Sequence, residues 1–202
     1  MSLDAPQLLL TDLHDRHERA PVLDSERAFE GRVWDVRRDT VDLGESQVVR
    51  EYVAHTGAVA ILAVRTDRGT PEIFVIQQYR HPIGAHDWEI PAGLLDVEGE
   101  DPQVTAAREL AEEADLVAEQ WEVLLRHTPS PGGLDEEITM YLATGLSDVP
   151  ADERHERTDE EAGMPSGWVS LPVAVEAVLA GQVRNGPLML AVLALHTRLR
   201  GA

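Results

Sequence analysis

Two runs set the outline of this chain. "GAVAILAVR" (57–65) and "EIFVIQQYR" (72–80) are apolar at nearly every position, with the polar break Asp67 to Pro71 between them. A strand with one wet face alternates apolar and polar residues; a strand that is apolar throughout needs cover on both faces. Helices elsewhere in the chain have to supply that cover.

The rest of the chain offers them. Asp101 is placed to cap a helix and Pro102 suits its first position, with helix expected to about Leu116. "PVAVEAVLAGQV" and "PLMLAVLALHTRLR" read as two amphipathic helices near the end. "EQWEVLLRHT" and "EEITMYLAT" read as strands joined by the loop "PSPGGLD", and 151–163 reads as acidic loop. Upstream, "RVWDVRRDTVDLGESQVVREYVAH" alternates and turns at Gly44, as a hairpin or meander able to form a small sheet of its own. The fold class is therefore α+β, with a mixed sheet between helices and a small N-terminal antiparallel sheet. The expected organisation is a mobile arm over 1–24, an N-terminal β subdomain over 25–56 and a main domain over 57–202.

Composition narrows the partners. A formal net charge of -20 at pH 7 argues against nucleic acid, whose backbone needs a basic face. All 17 basic residues are Arg, the better fork for phosphate. The absence of Cys removes disulfides and thiolate chemistry. No run reaches the roughly 18 apolar residues of a membrane span, and the N-terminus lacks a signal-peptide pattern, so a soluble cytoplasmic protein is expected.

"AARELAEEADL" (106–116) then poses a question. Glu109 and Glu113 are four apart and share a helix face; Glu112 lies at its edge. Three carboxylates this close repel one another unless a cation sits among them. A hard, oxygen-rich site of this kind suits Mg²⁺, with Mn²⁺ as the alternative. Arg108 is placed to neutralise part of the charge or to hold one Glu. The plain alternative is a solvated acidic helix face, in a chain with 37 acidic residues.

Context favours the cation. Gly93, Glu100, Arg108, Glu109, Leu110, Glu112, Glu113 and Leu116 reproduce the spacing of the Nudix box, so the chain resembles the Nudix hydrolases. It departs from the box twice: one extra residue lies between Gly93 and Glu100, and Asp115 replaces the last Gly. Asp is among the few residues that reach the left-handed conformation a helix end often takes. The resemblance implies an α/β/α sandwich in which Glu109 and Glu113 ligate the metal. It adds Glu112 and the backbone carbonyl of Ala92 to that site, and gives Glu100 a pairing role with Arg108.

Outside the box, "REYVAHTGAV", "QQYR" and "WEIPAG", with Pro131 fifteen residues past Leu116, resemble the ADP-ribose pyrophosphatase group, particularly its actinobacterial members. The resemblance implies hydrolysis of ADP-ribose to AMP and ribose 5-phosphate by a homodimer. It implies a general base in the loop "RHERTDEEAGMPSGW", with Glu161 first and Glu160 second. Arg80, Arg50, Glu51, Glu89 and Pro131 are the implied substrate-side residues. Trp88, Trp34, His81, His86 and His127 lie near these segments, and each reads more readily as structural than as catalytic. The alternatives are another nucleoside diphosphate derivative as substrate, a non-catalytic ADP-ribose-binding module, and a structural acidic protein.

Overall fold

The structure, a computed structural model, describes residues 3, 5–157 and 163–201. The chain divides into two compact units, Met1–Val53 and Ala54–Ala202. The border therefore falls a little before the expected 56/57.

The first unit holds a three-stranded sheet in the order β1 (Val22–Phe29), β2 (Asp35–Asp42), β3 (Gln47–Ala54). β1 begins inside the segment 1–24 expected to be an arm. Every residue of β1 is exposed, so hydrophobic patterning does not announce it; antiparallel pairing with β2 holds it, Ser25 opposite Asp39 and Arg27 opposite Arg37. Charged ladders run across the strands, with Arg38 bridging Glu26 on β1 and Glu51 on β3.

The second unit is a three-layer sandwich. Its sheet runs β10 (Ser166–Ser170), β5 (Glu72–Arg80), β4 (Ala58–Arg65), β9 (Ile138–Asp148), β8 (Leu116–His127), with β6 (Ala85–Glu89) on β5 and β7 (Ala92–Leu94) on β4. β4 and β9 are parallel, Ala58 to Ala63 against Ile138 to Ala143; the other pairings are antiparallel. The sheet is mixed, as the sequence indicates.

β4 shows why its sequence is apolar throughout. Val59, Ile61 and Ala63 pack with Phe74, Ile76 and Tyr141 beneath Ala106, Leu110 and Ala114 of α1 (Pro102–Ala114). Ala58, Ala60, Leu62 and Val64 face the other way, toward Leu171, Val175, Leu188 and Val192 of α2 (Leu171–Leu179) and α3 (Gly186–Gly201). Alternate side chains of one strand thus enter two separate cores.

α1 starts as expected, the Asp101 carboxylate accepting from the Gln103 N–H at 2.8 Å with Pro102 in the first turn. It ends earlier than expected, at Ala114, because Asp115 turns left-handed with φ 54°. β10 is missing from the sequence reading. "SGWVS" has no strong pattern, and its extended form rests on pairing with β5, Trp168 opposite Phe74.

Candidate functional site

The buried stripe of α1 contains Thr105, Ala106, Leu110, Glu113 and Ala114. Four of these suit a core. Glu113 does not, yet the residue is buried with them, at 7% exposure. A buried carboxylate needs compensation. One oxygen accepts from the backbone N–H of Ala92 on β7 at 2.9 Å.

One residue further along β7, Gly93 lies beneath Glu109. A Cβ added at Gly93 would fall well inside contact distance of the Glu109 carboxyl carbon. Glycine is needed here for close approach, not for backbone conformation. β7 is itself fixed by β4, with Ala92 opposite Ala60 and Gly93 opposite Val59. Two carboxylates one helical turn apart therefore rest on the bare backbone of residues 92 and 93.

Arg108 is the nearby counter-charge. Its guanidinium meets Glu109 at 2.7 Å, Glu112 at 3.5 Å and Glu100 at 3.7 Å. Burial pulls its pKa down, but the fields of Glu109, Glu112 and Glu100 outweigh that and leave it above the ordinary arginine value. Glu100 also accepts from the Thr105 hydroxyl at 2.7 Å, tying the loop to the first turn of α1. Among the described residues, the Arg108 guanidinium faces three carboxylates at once, Glu100, Glu109 and Glu112.

The donor set fits a hard divalent cation. It is all oxygen and partly buried, with the Glu109 carboxylate lying directly over a glycine. Among the described residues no three carboxylate or imidazole groups form a ready-made cage. Mg²⁺ commonly takes one or two carboxylates and completes its shell with waters and substrate phosphates. Glu109 and Glu113 match that pattern, with Glu112 more exposed at the edge.

Arg80 and Glu89, both expected on the substrate side, are brought to each other. The Arg80 fork donates Nε to Oε1 and a terminal nitrogen to Oε2 of Glu89, both at 2.8 Å. Glu89 is 4% exposed. It lies opposite Ile76, which packs in the α1 layer, so it projects to that side of the sheet. Trp88, the next residue back, packs in the α2–α3 core, consistent with a structural role.

The other candidates lie on further segments. Arg50 and Glu51 lie on β3 of the first unit; Arg50 donates to the Val49 carbonyl and Glu51 pairs with Arg38 at 2.6 Å. Pro131 is exposed in the loop between β8 and β9. Glu160 and Glu161 lie outside the described residues. His127 is held below the ordinary histidine pKa by burial, against an opposing pull from Glu136.

One contact escaped the sequence reading. Arg157 reaches the end of α1, its Nε donating to the Glu112 carbonyl at 2.9 Å and a terminal nitrogen meeting Asp115 at 2.8 Å. The available signal was Asp115 itself. A carboxylate at the negative end of a helix dipole wants a cation nearby.

Comparisons with known proteins place the chain in a family. Residues 54–189 match the NUDIX domain family. The chain is 45% identical over 175 residues to an ADP-ribose pyrophosphatase of Mycobacterium tuberculosis, covering 86% of this chain and 82% of that protein. It is 37% identical over 159 residues to an ADP-ribose pyrophosphatase of Bacillus subtilis, covering 78% and 82%. Among solved structures, an ADP compounds hydrolase superposes with a TM-score of 0.75 over 93% of this chain and 98% of that one; at 19% identity this likeness shows the fold.

Proposed function

The chain belongs to the NUDIX family, and on that premise we propose that it hydrolyses the pyrophosphate bond of ADP-ribose to AMP and ribose 5-phosphate with the aid of Mg²⁺, or Mn²⁺ in its place. The observation that carries this reading is the Glu113 carboxylate, buried on the core face of α1 and paired with the Ala92 N–H, with Glu109 one turn away over Gly93. A buried charge is tolerated where it is hydrogen-bonded and paired, and a bound cation would add to the pairing that this carboxylate already has. The two similar pyrophosphatases support the choice of substrate.

Each residue has a role in this scheme. Glu109 and Glu113 hold the cation, with Glu112 and the Ala92 carbonyl beside them. Arg108 restrains Glu109 through the 2.7 Å contact and draws off part of the carboxylate repulsion. The bound ion supplies shielding of the diphosphate charge and acidification of the attacking water. Glu161, or Glu160, takes the proton from that water. Arg80, Arg50, Glu51, Glu89 and Pro131 are assigned to the substrate side. Arg80 could reach substrate only by loosening its fork on Glu89 or by sharing its remaining donors. The protein acts in the cytoplasm as a homodimer, with the three-stranded sheet of the first unit as the dimerising piece. Exposed Val22, Leu23, Phe29 and Val49 on β1 and β3 support that role. No helix among the described residues is long and apolar enough to cross a membrane.

The test is product analysis in ¹⁸O-water with Mg²⁺ and ADP-ribose, beside a panel of nucleotide sugars and dinucleotides. AMP and ribose 5-phosphate are expected, with ADP-ribose the best substrate. Faster turnover of another diphosphate, or binding of ADP-ribose without products, overturns the assignment. Gly93→Ala is expected to lower kcat/KM by about a hundredfold, since displacement of reacting groups by about 1 Å costs that much. Wild-type kinetics in this variant would show that Glu109 need not lie against the backbone.

A further inference from the structure

Asp115 is the sole non-glycine residue with positive φ among the described residues. Its strain is retained within a set of contacts at the end of α1. Its own N–H closes onto the Ala111 carbonyl at 3.1 Å, and its carbonyl accepts from the Val149 N–H at 2.8 Å. Its carboxylate holds Arg157 at 2.8 Å, and Arg157 at the same time satisfies the Glu112 carbonyl at 2.9 Å. That carbonyl belongs to the last turn of the helix, where carbonyls lack helical partners. Arg157 also brings positive charge to the negative end of the helix dipole.

The location gives these contacts a consequence. The turn that Arg157 grips contains Glu112 and Glu113. A glycine at 115 would adopt the left-handed turn freely but offer nothing for an arginine to hold. Aspartate does both, at the cost of some backbone strain.

We propose that Asp115 and Arg157 form a clamp that positions the last turn of α1, so that the Glu113 carboxylate is held in place to receive a divalent cation. Arg157 is a positioning residue in this scheme and touches neither substrate nor metal. The inference rests on the reading of Glu109 and Glu113 as cation ligands.

Two measurements test it on the full-length protein, at a temperature where circular dichroism shows every variant folded. The first is Mn²⁺ affinity by electron paramagnetic resonance, with Mn²⁺ alone as the probe. The second is amide hydrogen exchange at residues 113–115 in metal-free protein. Arg157→Met is expected to weaken Mn²⁺ binding by about tenfold, the usual scale for groups that support metal ligands. It is also expected to speed exchange at the helix end, while Arg157→Lys restores part of both losses. In an Asp115→Gly background, Arg157→Met is expected to have a smaller effect, because the two residues act as one unit.

Glu113→Gln separates the clamp from the reading beneath it. Loss of Mn²⁺ binding in Glu113→Gln together with wild-type affinity and exchange in Arg157→Met overturns the clamp alone. Wild-type affinity in Glu113→Gln overturns the metal reading, and with it the role proposed for the clamp.

Discussion

Glu113→Gln is expected to reduce kcat/KM for ADP-ribose by about a thousandfold, a loss of about 4 kcal/mol in transition-state stabilisation. The side chain keeps its shape, and its amide oxygen can still accept from the Ala92 N–H. What it loses is the negative charge proposed to bind the cation. Glu109→Gln belongs to the same class, and the double variant should cost far less than the two losses multiplied, since both carboxylates are proposed to act as one unit in binding metal. Steady-state kinetics with thermal unfolding on the same samples decides the matter. A Glu113→Gln enzyme of wild-type rate would remove the basis of the assigned chemistry.

Arg80→Met is expected to act on stability first. Glu89 is 4% exposed and both its oxygens take hydrogen bonds from Arg80. Removing one partner of such a pair leaves an uncompensated carboxylate, a penalty of about 3–5 kcal/mol for a fully buried pair. Arg80 is 44% exposed, so water can reach part of the site and about 2–3 kcal/mol is the better expectation. Denaturant midpoints would record the loss. The double variant Arg80→Met with Glu89→Gln should recover much of it, because the charge then leaves with its partner. A change confined to KM, with stability intact, would show that Arg80 serves the substrate and is not needed to hold the Glu89 carboxylate.

What could be read without coordinates was whatever a short window encodes. The double burial of β4, the N-terminal cap of α1 and the shared face of Glu109 and Glu113 each follow from spacing within a few residues. The left-handed turn at Asp115 was legible only in part: an Asp in place of the last Gly of the box permits it, yet the helix pattern ran on to about Leu116. Long-range pairing was not. Arg80 and Glu89 were both singled out, yet their mutual fork depends on the β5–β6 register, which no local pattern sets. Arg157 meets Asp115 only because the chain returns to the end of α1 after β9. Ala92 was singled out for its carbonyl, while the contact found is between its N–H and Glu113. β1 and β10 are strands by virtue of their neighbours, so their own sequences gave little warning.

The parallel alignment of β4 with β9 bears on how the molecule comes into being. These strands meet across about eighty positions of chain, and such distant pairings form slowly. During synthesis, β4 and β7 emerge well before residue 138. Until β9 arrives, Val59 and Ile61 lack Thr139 and Tyr141, their partners across the parallel ladder, and the ledge under Glu109 and Glu113 is backed on one side only. A nascent chain should therefore be sticky and inert together, exposed to chaperones and proteases. Hydrolytic competence would then be a property of the finished polypeptide alone.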